Sequence, residues 1–245
     1  MNFIKKVPCR KYRHGIFEDA EDLMIEERNY PAEIGGRKIN FKILPEYIEQ
    51  FLYGYMFVNF MIEGREDVLS LDICADRAVA VLKNTPELPG DIDMVSACFG
   101  SPEFPGALEP LNDVFRIIPS EITENTTSFL NKGVYFPETG GTHLAALFEK
   151  NQMFAFYEDI GRHNAVDKII GHMLLNDINP EGKSLYTTGR ISSEIVKKAV
   201  RARIPAVISR SAVTCAALNA AIKYGLTLIG FSRGQRFNIY TEGRP

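Results

Sequence analysis

Three things are missing from this 245-residue chain, and each absence excludes a class of function. No apolar run approaches the ~20 residues needed to span a bilayer. The N-terminus, MNFIKKVPCRKYRHG, is basic but has no apolar stretch and no small-residue cleavage site. A cytoplasmic address is therefore expected, with no membrane partner. Net positive charge is also missing: the formal balance is −3 at neutral pH. The surface as a whole does not attract nucleic acid, so any anion site must be a local concentration of cations. Paired cysteines are missing too. Cys9, Cys74, Cys98 and Cys215 are widely spaced and form no CxxC. That excludes a disulfide framework and a zinc knuckle, and no structural metal is expected. A free cysteine is by default a small buried hydrophobe. Cys74 ends the alternating run Leu69, Leu71, Ile73, Cys215 falls in an alanine-rich helix, and Cys9 falls in the basic tail. Cys98 is different, because it stands in a long irregular segment.

What is present is ordinary for a soluble globular protein: 45% hydrophobic and 24% charged residues, enough for one large domain or a large and a small one. Residues 1–20 read as a tail. Residues 21–118 read as a small, strand-rich α+β unit: a strand at GRKINFKIL, a helix opened by Pro45 with Ile48, Phe51, Leu52, Tyr55 and Met56 on one face, then strands at DVLSLDI and RAVAVL. Within it, residues 83–106 hold four prolines and three glycines with little periodicity. Such a loop is usually functional or disordered. Residues 119–245 alternate strand and helix, which predicts an α/β domain. Ser120 is expected to cap a helix with Ile122, Phe129 and Leu130, and HLAALFEK after Gly140-Gly141-Thr142 to form another. The strands are MFAFYEDI, SLYTT, AVIS and LTLIGF, with FNIYT last.

Each of the first four of these strands leads into arginine: Gly161-Arg162, Gly189-Arg190, Arg210-Ser211 and Arg233-Gly234-Gln235-Arg236. In open α/β sheets ligands bind beyond the carboxyl ends of the strands, where helix N-termini present free N–H groups and a positive dipole end. Glycine allows close approach, and arginine offers a planar charged fork that matches phosphate oxygens. The pattern predicts a phosphate-binding edge if the strands run parallel. The alternative is that the arginines pair with Glu158, Asp159, Asp167 and Glu194. His163 follows Arg162, in a turn that suits a ligand contact or a helix start equally. His143 and His172 have no such support.

Gly140-Gly141-Thr142-His143, EDIGRHNAVDKIIG (158–171), TGRISSEIVKKA (188–199), SRSAVTCAAL (209–218) and GFSRGQRFNIYT (230–241) resemble, in order, the formate dehydrogenase accessory proteins of the FdhD/NarQ type. The resemblance implies a three-layer α/β/α, cytidine-deaminase-like domain with a mixed sheet. The zinc deaminase signature, His-x-Glu with Pro-Cys-x-x-Cys, is absent. It also implies a sulfurtransferase: a carrier that takes persulfide sulfur from a cysteine desulfurase and passes it to a bis-molybdopterin guanine dinucleotide molybdenum cofactor, which then enters formate dehydrogenase. A homodimer that binds guanine nucleotides is part of that expectation. By resemblance, Phe231, Ser232, Arg233, Gly234, Gln235 and Arg236 contact the cofactor, with Arg162, His163 and Arg190 joining from the strand-end pattern. The family's sulfur-carrying cysteine opens a Cys-x-x-Cys, and here that stretch is Cys98-Phe99-Gly100-Ser101. Persulfide chemistry needs one thiolate. Ser101 leaves two readings open, transfer by Cys98 alone or cofactor binding without transfer.

Overall fold

The computed structural model describes residues 3–84 and 107–243; the loop carrying Cys98 lies outside them. The chain opens with strands β1 (Ile4–Arg13) and β2 (Ile16–Ile25), an antiparallel hairpin in full register. A tail was expected here. Neither strand buries an apolar face, so the segment has no core signal to read; what shapes it is cross-strand charge. Lys6 pairs with Glu21, Lys11 with Asp22 at 3.2 Å and Arg10 with Asp19 at 3.7 Å, while Lys5 meets Glu26 beyond the end of β2. Arg10 and Asp19 are direct register partners, whereas Lys6 and Lys11 reach along the ladder to their acids. Cys9 is a strand residue in this hairpin.

Strands β3 (Arg28–Ile34), β4 (Arg37–Ile43), β5 (Val68–Ile73) and β6 (Ala78–Leu82) form a second sheet in the order β4-β3-β6-β5. Helix α1 (Ile48–Val58) covers one face of it. The five apolar residues expected on that helix face are all buried, and Phe41 packs edge-on against Phe51 and Tyr55 at centroid distances of 4.9 and 4.8 Å.

The third sheet is the large one. It contains β7 (His143–Glu149), β8 (Gln152–Asp159), β9 (Lys183–Thr187), β10 (Ala206–Ser209), β11 (Thr227–Arg233) and β12 (Arg236–Glu242), in the order β12-β11-β10-β9-β7-β8. Helix α2 (Pro119–Leu130) covers one face through Ile122 and Phe129. Helices α4 (Arg162–Leu175), α5 (Ser193–Arg201) and α6 (Cys215–Tyr224) cover the other. The short α3 (Phe136–Thr139) precedes β7. The architecture is α/β with a mixed sheet in three layers. Two expectations change. Pro119, not Ser120, begins α2, after Ile118 as N-cap, and proline suits a first helical position whose N–H would have no partner. HLAALFEK is a strand, not a helix. Leu144, Ala146 and Phe148 pack toward α2, whereas Ala145 and Leu147 pack toward α4. A strand buried on both faces loses its alternation, and a short apolar run then reads equally as helix.

Residues 107–118 also belong with the large sheet, not with the small unit assigned to 21–118. Leu111 is buried in the core beneath α4–α6, and its N–H donates to the Tyr224 carbonyl at 2.8 Å. The two units meet where α1 crosses α4. A Cβ on Gly54 would lie 1.8 Å from the Asp167 carbonyl oxygen, and one on Gly171 would lie 1.8 Å from that of Gln50. The two glycines therefore let the helix backbones touch. Alanine normally favours a helix over glycine by about 1 kcal/mol. Here Gly54→Ala should instead lower stability, by about 1–3 kcal/mol for overpacking. Denaturant unfolding with an unchanged m-value would measure it, and a stabilised variant would show the crossing is looser than described.

Candidate functional site at the carboxyl edge of the large sheet

Strand direction decides whether the arginines share an edge. β7 is antiparallel to both β8 and β9, and β9, β10 and β11 are mutually parallel. It follows that β8, β9, β10 and β11 all run the same way, and their carboxyl ends lie along one edge. That edge spans roughly 19 Å from β11 to β8 at normal strand spacing. Arg162, Arg190, Arg210, Arg233 and Arg236 are all there, with the N-termini of α4, α5 and α6 pointing the same way.

The acidic side chains along this edge each have hydrogen-bond or ion-pair partners. Glu158 accepts the N–H groups of Val134, Tyr135 and Phe136 and the Thr142 hydroxyl. Asp159, fully buried, pairs with Lys168 at 2.7 Å. Asp167 receives Lys198 on both oxygens at 2.6 Å, and burial pushes its carboxyl up to about 6 even though that ammonium opposes the rise. Glu194 is held below the ordinary carboxylate range: burial raises it, but hydrogen bonds from Ser192 and Ser193 and the charge of His163 more than offset this. Among the described residues no salt bridge involves Arg190, Arg210, Arg233 or Arg236, and all four are exposed.

The loops of the edge are joined by main-chain hydrogen bonds. Arg210 N–H donates to Thr187, Ile191 N–H to Ala212, Thr214 N–H to Ile191 and Phe231 N–H to Ser211, all between 2.9 and 3.1 Å. Arg233 Nε donates to the Arg210 carbonyl at 2.9 Å and its guanidinium lies 5.6 Å from the Phe231 ring centroid. Gly189 lies under the stem of Arg162; a Cβ there would come within 2.7 Å of the arginine Cβ. This contact carries Arg162 across the two-strand gap toward the β9 loop.

The residues expected at the site divide by exposure. Arg233, Gly234, Gln235 and Arg236 form the exposed tip between β11 and β12, where Gly234 takes a φ of 57° that a tight hairpin turn needs. Phe231 is half-buried and holds a positive φ of 52°, a strained value for a non-glycine residue, at a bulge in β11. Ser232 is fully buried and shares a 2.7 Å hydrogen bond with Thr126 of α2, so it anchors the loop rather than facing outward. His163 is buried, with Nε2 3.4 Å from Ser192 Oγ. Cys98 lies outside the described residues. Cys215, expected to be packed, is exposed at the first position of α6, and Cys74 is exposed.

Sequence reasoning passed over His143. Because β7 runs against its neighbours, its first residue lands on the same edge as their last ones. His143 Nδ1 is 3.4 Å from Thr188 Oγ1, and the imidazole is held below its ordinary pKa by burial and by the charges of Arg162 and Arg190, with Asp159 opposing. The signal was the glycine pair before it, legible only once β7 is read as a strand.

The FdhD/NarQ family model matches residues 25–244. The chain belongs to the FdhD/NarQ family. Protein FdhD of Methanocaldococcus jannaschii is 34% identical over 243 residues, covering 98% of each chain. The sulfur carrier protein FdhD of Methanothermobacter thermautotrophicus is 32% identical over 215 residues, 85% of this chain and 84% of that one. A crystal structure from Desulfotalea psychrophila, assigned as a formate dehydrogenase accessory protein, aligns with a TM-score of 0.81 at 26% identity over 98% of this chain and 97% of that one. No group of three or more His, Cys, Asp or Glu that could hold a metal ion occurs among the described residues of this FdhD/NarQ member, and no helix among them is long and apolar enough to cross a membrane.

The buried pair under the edge gives a direct test. Lys168→Met leaves Asp159 charged and without its cation, which should cost about 3–5 kcal/mol. Lys168→Met combined with Asp159→Asn should recover part of that loss in chemical denaturation. No recovery would mean that Lys168 contributes through packing and its hydrogen bonds to the Leu44 and Glu158 carbonyls and not through the charge of Asp159.

Proposed function

We propose that this chain is a sulfur carrier for formate dehydrogenase maturation, and that its arginine edge holds the guanine-dinucleotide pyrophosphates of a bis-molybdopterin guanine dinucleotide cofactor as cargo. The single observation that carries the reading is the convergence of five arginines on one carboxyl edge, where the nearby carboxylates each have hydrogen-bond or ion-pair partners. A site rich in cationic donors, on a main-chain frame and facing three helix N-termini, suits a pyrophosphate. Arg233, Gly234, Gln235 and Arg236 form the principal contact, Phe231 flanks it and Ser232 holds it to α2. Arg162, Arg190 and His163 serve the second half of the cargo.

Cys98 carries the sulfur. Its thiolate attacks the outer sulfur of a persulfide on a cysteine desulfurase; the S–S bond of the donor breaks, the donor cysteine leaves as thiolate, and Cys98 persulfide forms. Delivery of that outer sulfur to molybdenum as a sulfido ligand takes two electrons, which a thiol reductant supplies. The acceptor enzyme is formate dehydrogenase, the setting is cytoplasmic, and the working unit is a homodimer. Ser101, in place of the family's second cysteine, favours a second reading in which the protein binds cofactor without transferring sulfur.

Two measurements separate these readings. After incubation with a cysteine desulfurase and cysteine, intact mass should show one added sulfur that Cys98→Ala abolishes. Sulfur found only on Cys9, Cys74 or Cys215 would sink the role of Cys98, and full complementation by Cys98→Ala in cells lacking the native protein would favour binding alone. Guanosine diphosphate should bind in titration calorimetry, with Arg233→Ala and Arg236→Ala each weakening it by about 1–3 kcal/mol, the worth of a charge-assisted contact. Unchanged affinity would refute the placement of the phosphates.

A further inference from the structure

We infer that His143 is the adjustable cation of the edge: a pyrophosphate held between Arg162 and Arg190 draws a proton onto its imidazole, so cargo binding and proton uptake are coupled. The inference rests on the reading of the edge as a dinucleotide site and adds to it the means of its pH regulation.

The geometry is set by strand reversal. His143 opens β7, which lies in the sheet between β8 and β9, and it sits opposite Asp159 in the β7–β8 register. It therefore stands between the loop that bears Arg162 and the loop that bears Arg190. Thr188 Oγ1 accepts the Leu144 N–H at 3.0 Å and lies 3.4 Å from His143 Nδ1. Thr188 keeps its hydroxyl hydrogen and a second lone pair, so it can donate to Nδ1 of the neutral ring and accept from Nδ1–H of the protonated one.

The charged groups that act on the ring come from each element around it: Asp159 at the end of β8, Arg162 at the start of α4 and Arg190 in the loop after β9. Asp159 is already engaged by Lys168, by the N–H groups of Leu44 and Gly161 and by the Asn164 amide. Burial is the largest cause that holds the imidazole below its ordinary pKa and Arg162 the next; Asp159 opposes them by more than Arg190 adds. A pyrophosphate diester carries two fixed negative charges. Placed on the guanidiniums, it cancels their repulsion of a charged ring and leaves burial opposed by Asp159. The imidazole pKa therefore rises on binding. The sign follows: above the bound-state pKa affinity is flat, and as pH falls through the interval between bound and free values affinity increases. His163 is the other histidine on this edge, but it faces Ser192 and Glu194 on α5.

GDP-mannose tests this, because its pyrophosphate is a diester and does not itself titrate near neutral pH. Calorimetry at pH 7 in buffers of different ionisation heat should show uptake of a fraction of a proton per ligand bound. Affinity should rise several-fold between pH 8 and pH 6, within the limit of about tenfold per pH unit for one coupled proton. His143→Gln, which keeps a polar partner for Thr188 but cannot titrate, should bind without proton uptake and without that slope. In the wild-type protein the imidazole resonance of His143, followed by NMR, should titrate at higher pH with ligand than without it. Binding with no uptake, a slope that survives in His143→Gln, or a shift confined to His163 would each overturn the role of His143 and leave the dinucleotide reading intact. No binding of GDP-mannose by the wild type at any pH would overturn the dinucleotide reading itself.

Discussion

Asp159 and Lys168 form an ion pair with no exposed surface on either side chain, and both units of the fold are attached to it. The Leu44 N–H donates to Asp159 and Lys168 donates to the Leu44 carbonyl, so the residue that follows β4 is gripped at both of its backbone groups. Asn164 extends the same cluster to the Lys42 carbonyl, while the Gly161 N–H donates to Asp159 and sets the turn from β8 into α4. Isolated, two such charges would cost several kcal/mol each to bury. The pair is tolerable because backbone groups of both units supply its remaining hydrogen bonds. It also requires both units to be in place, which makes the small sheet a structural condition of the large one's edge. The crossing of α1 over α4 at Gly54 and Gly171 adds the apolar half of that seam.

Above that anchor, one topological choice shapes the site. In a wholly parallel sheet the carboxyl edge is made of strand ends and helix starts alone. Placing β7 in reverse between β8 and β9 separates the Arg162 and Arg190 loops and inserts the beginning of a strand between them. Arg162 lies over Gly189, and its charge acts on His143. The cationic edge is therefore a line of fixed charges interrupted by one imidazole.

The sequence was most legible where local rules and global fold agreed. The apolar face of the helix at Ile48–Val58, the strand ends with their arginines, and the helices that follow them lie where periodicity placed them, although that helix starts at Ile48 after a left-handed Tyr47 and not at Pro45. It was least legible where burial or charge erased periodicity. β7 is apolar on both faces and alanine-rich, so a strand there looked like a helix, and His143 was passed over with it. The β1–β2 hairpin has no apolar face to alternate, so its ladder of opposite charges looked like a polar tail. Ser232 shows a different limit: sequence located the loop, but only the contact with Thr126 shows that this hydroxyl points inward.

The stitching of the edge by backbone groups has a consequence of its own. Thr187, Ile191, Ala212 and Ser211 take part through carbonyls and amides that any residue carries. Shape and chemistry are thereby separated: the outline of the edge persists while the side chains projecting from it are free to vary. A lineage could change the charge and shape presented along such an edge, residue by residue, without passing through an unfolded intermediate sequence.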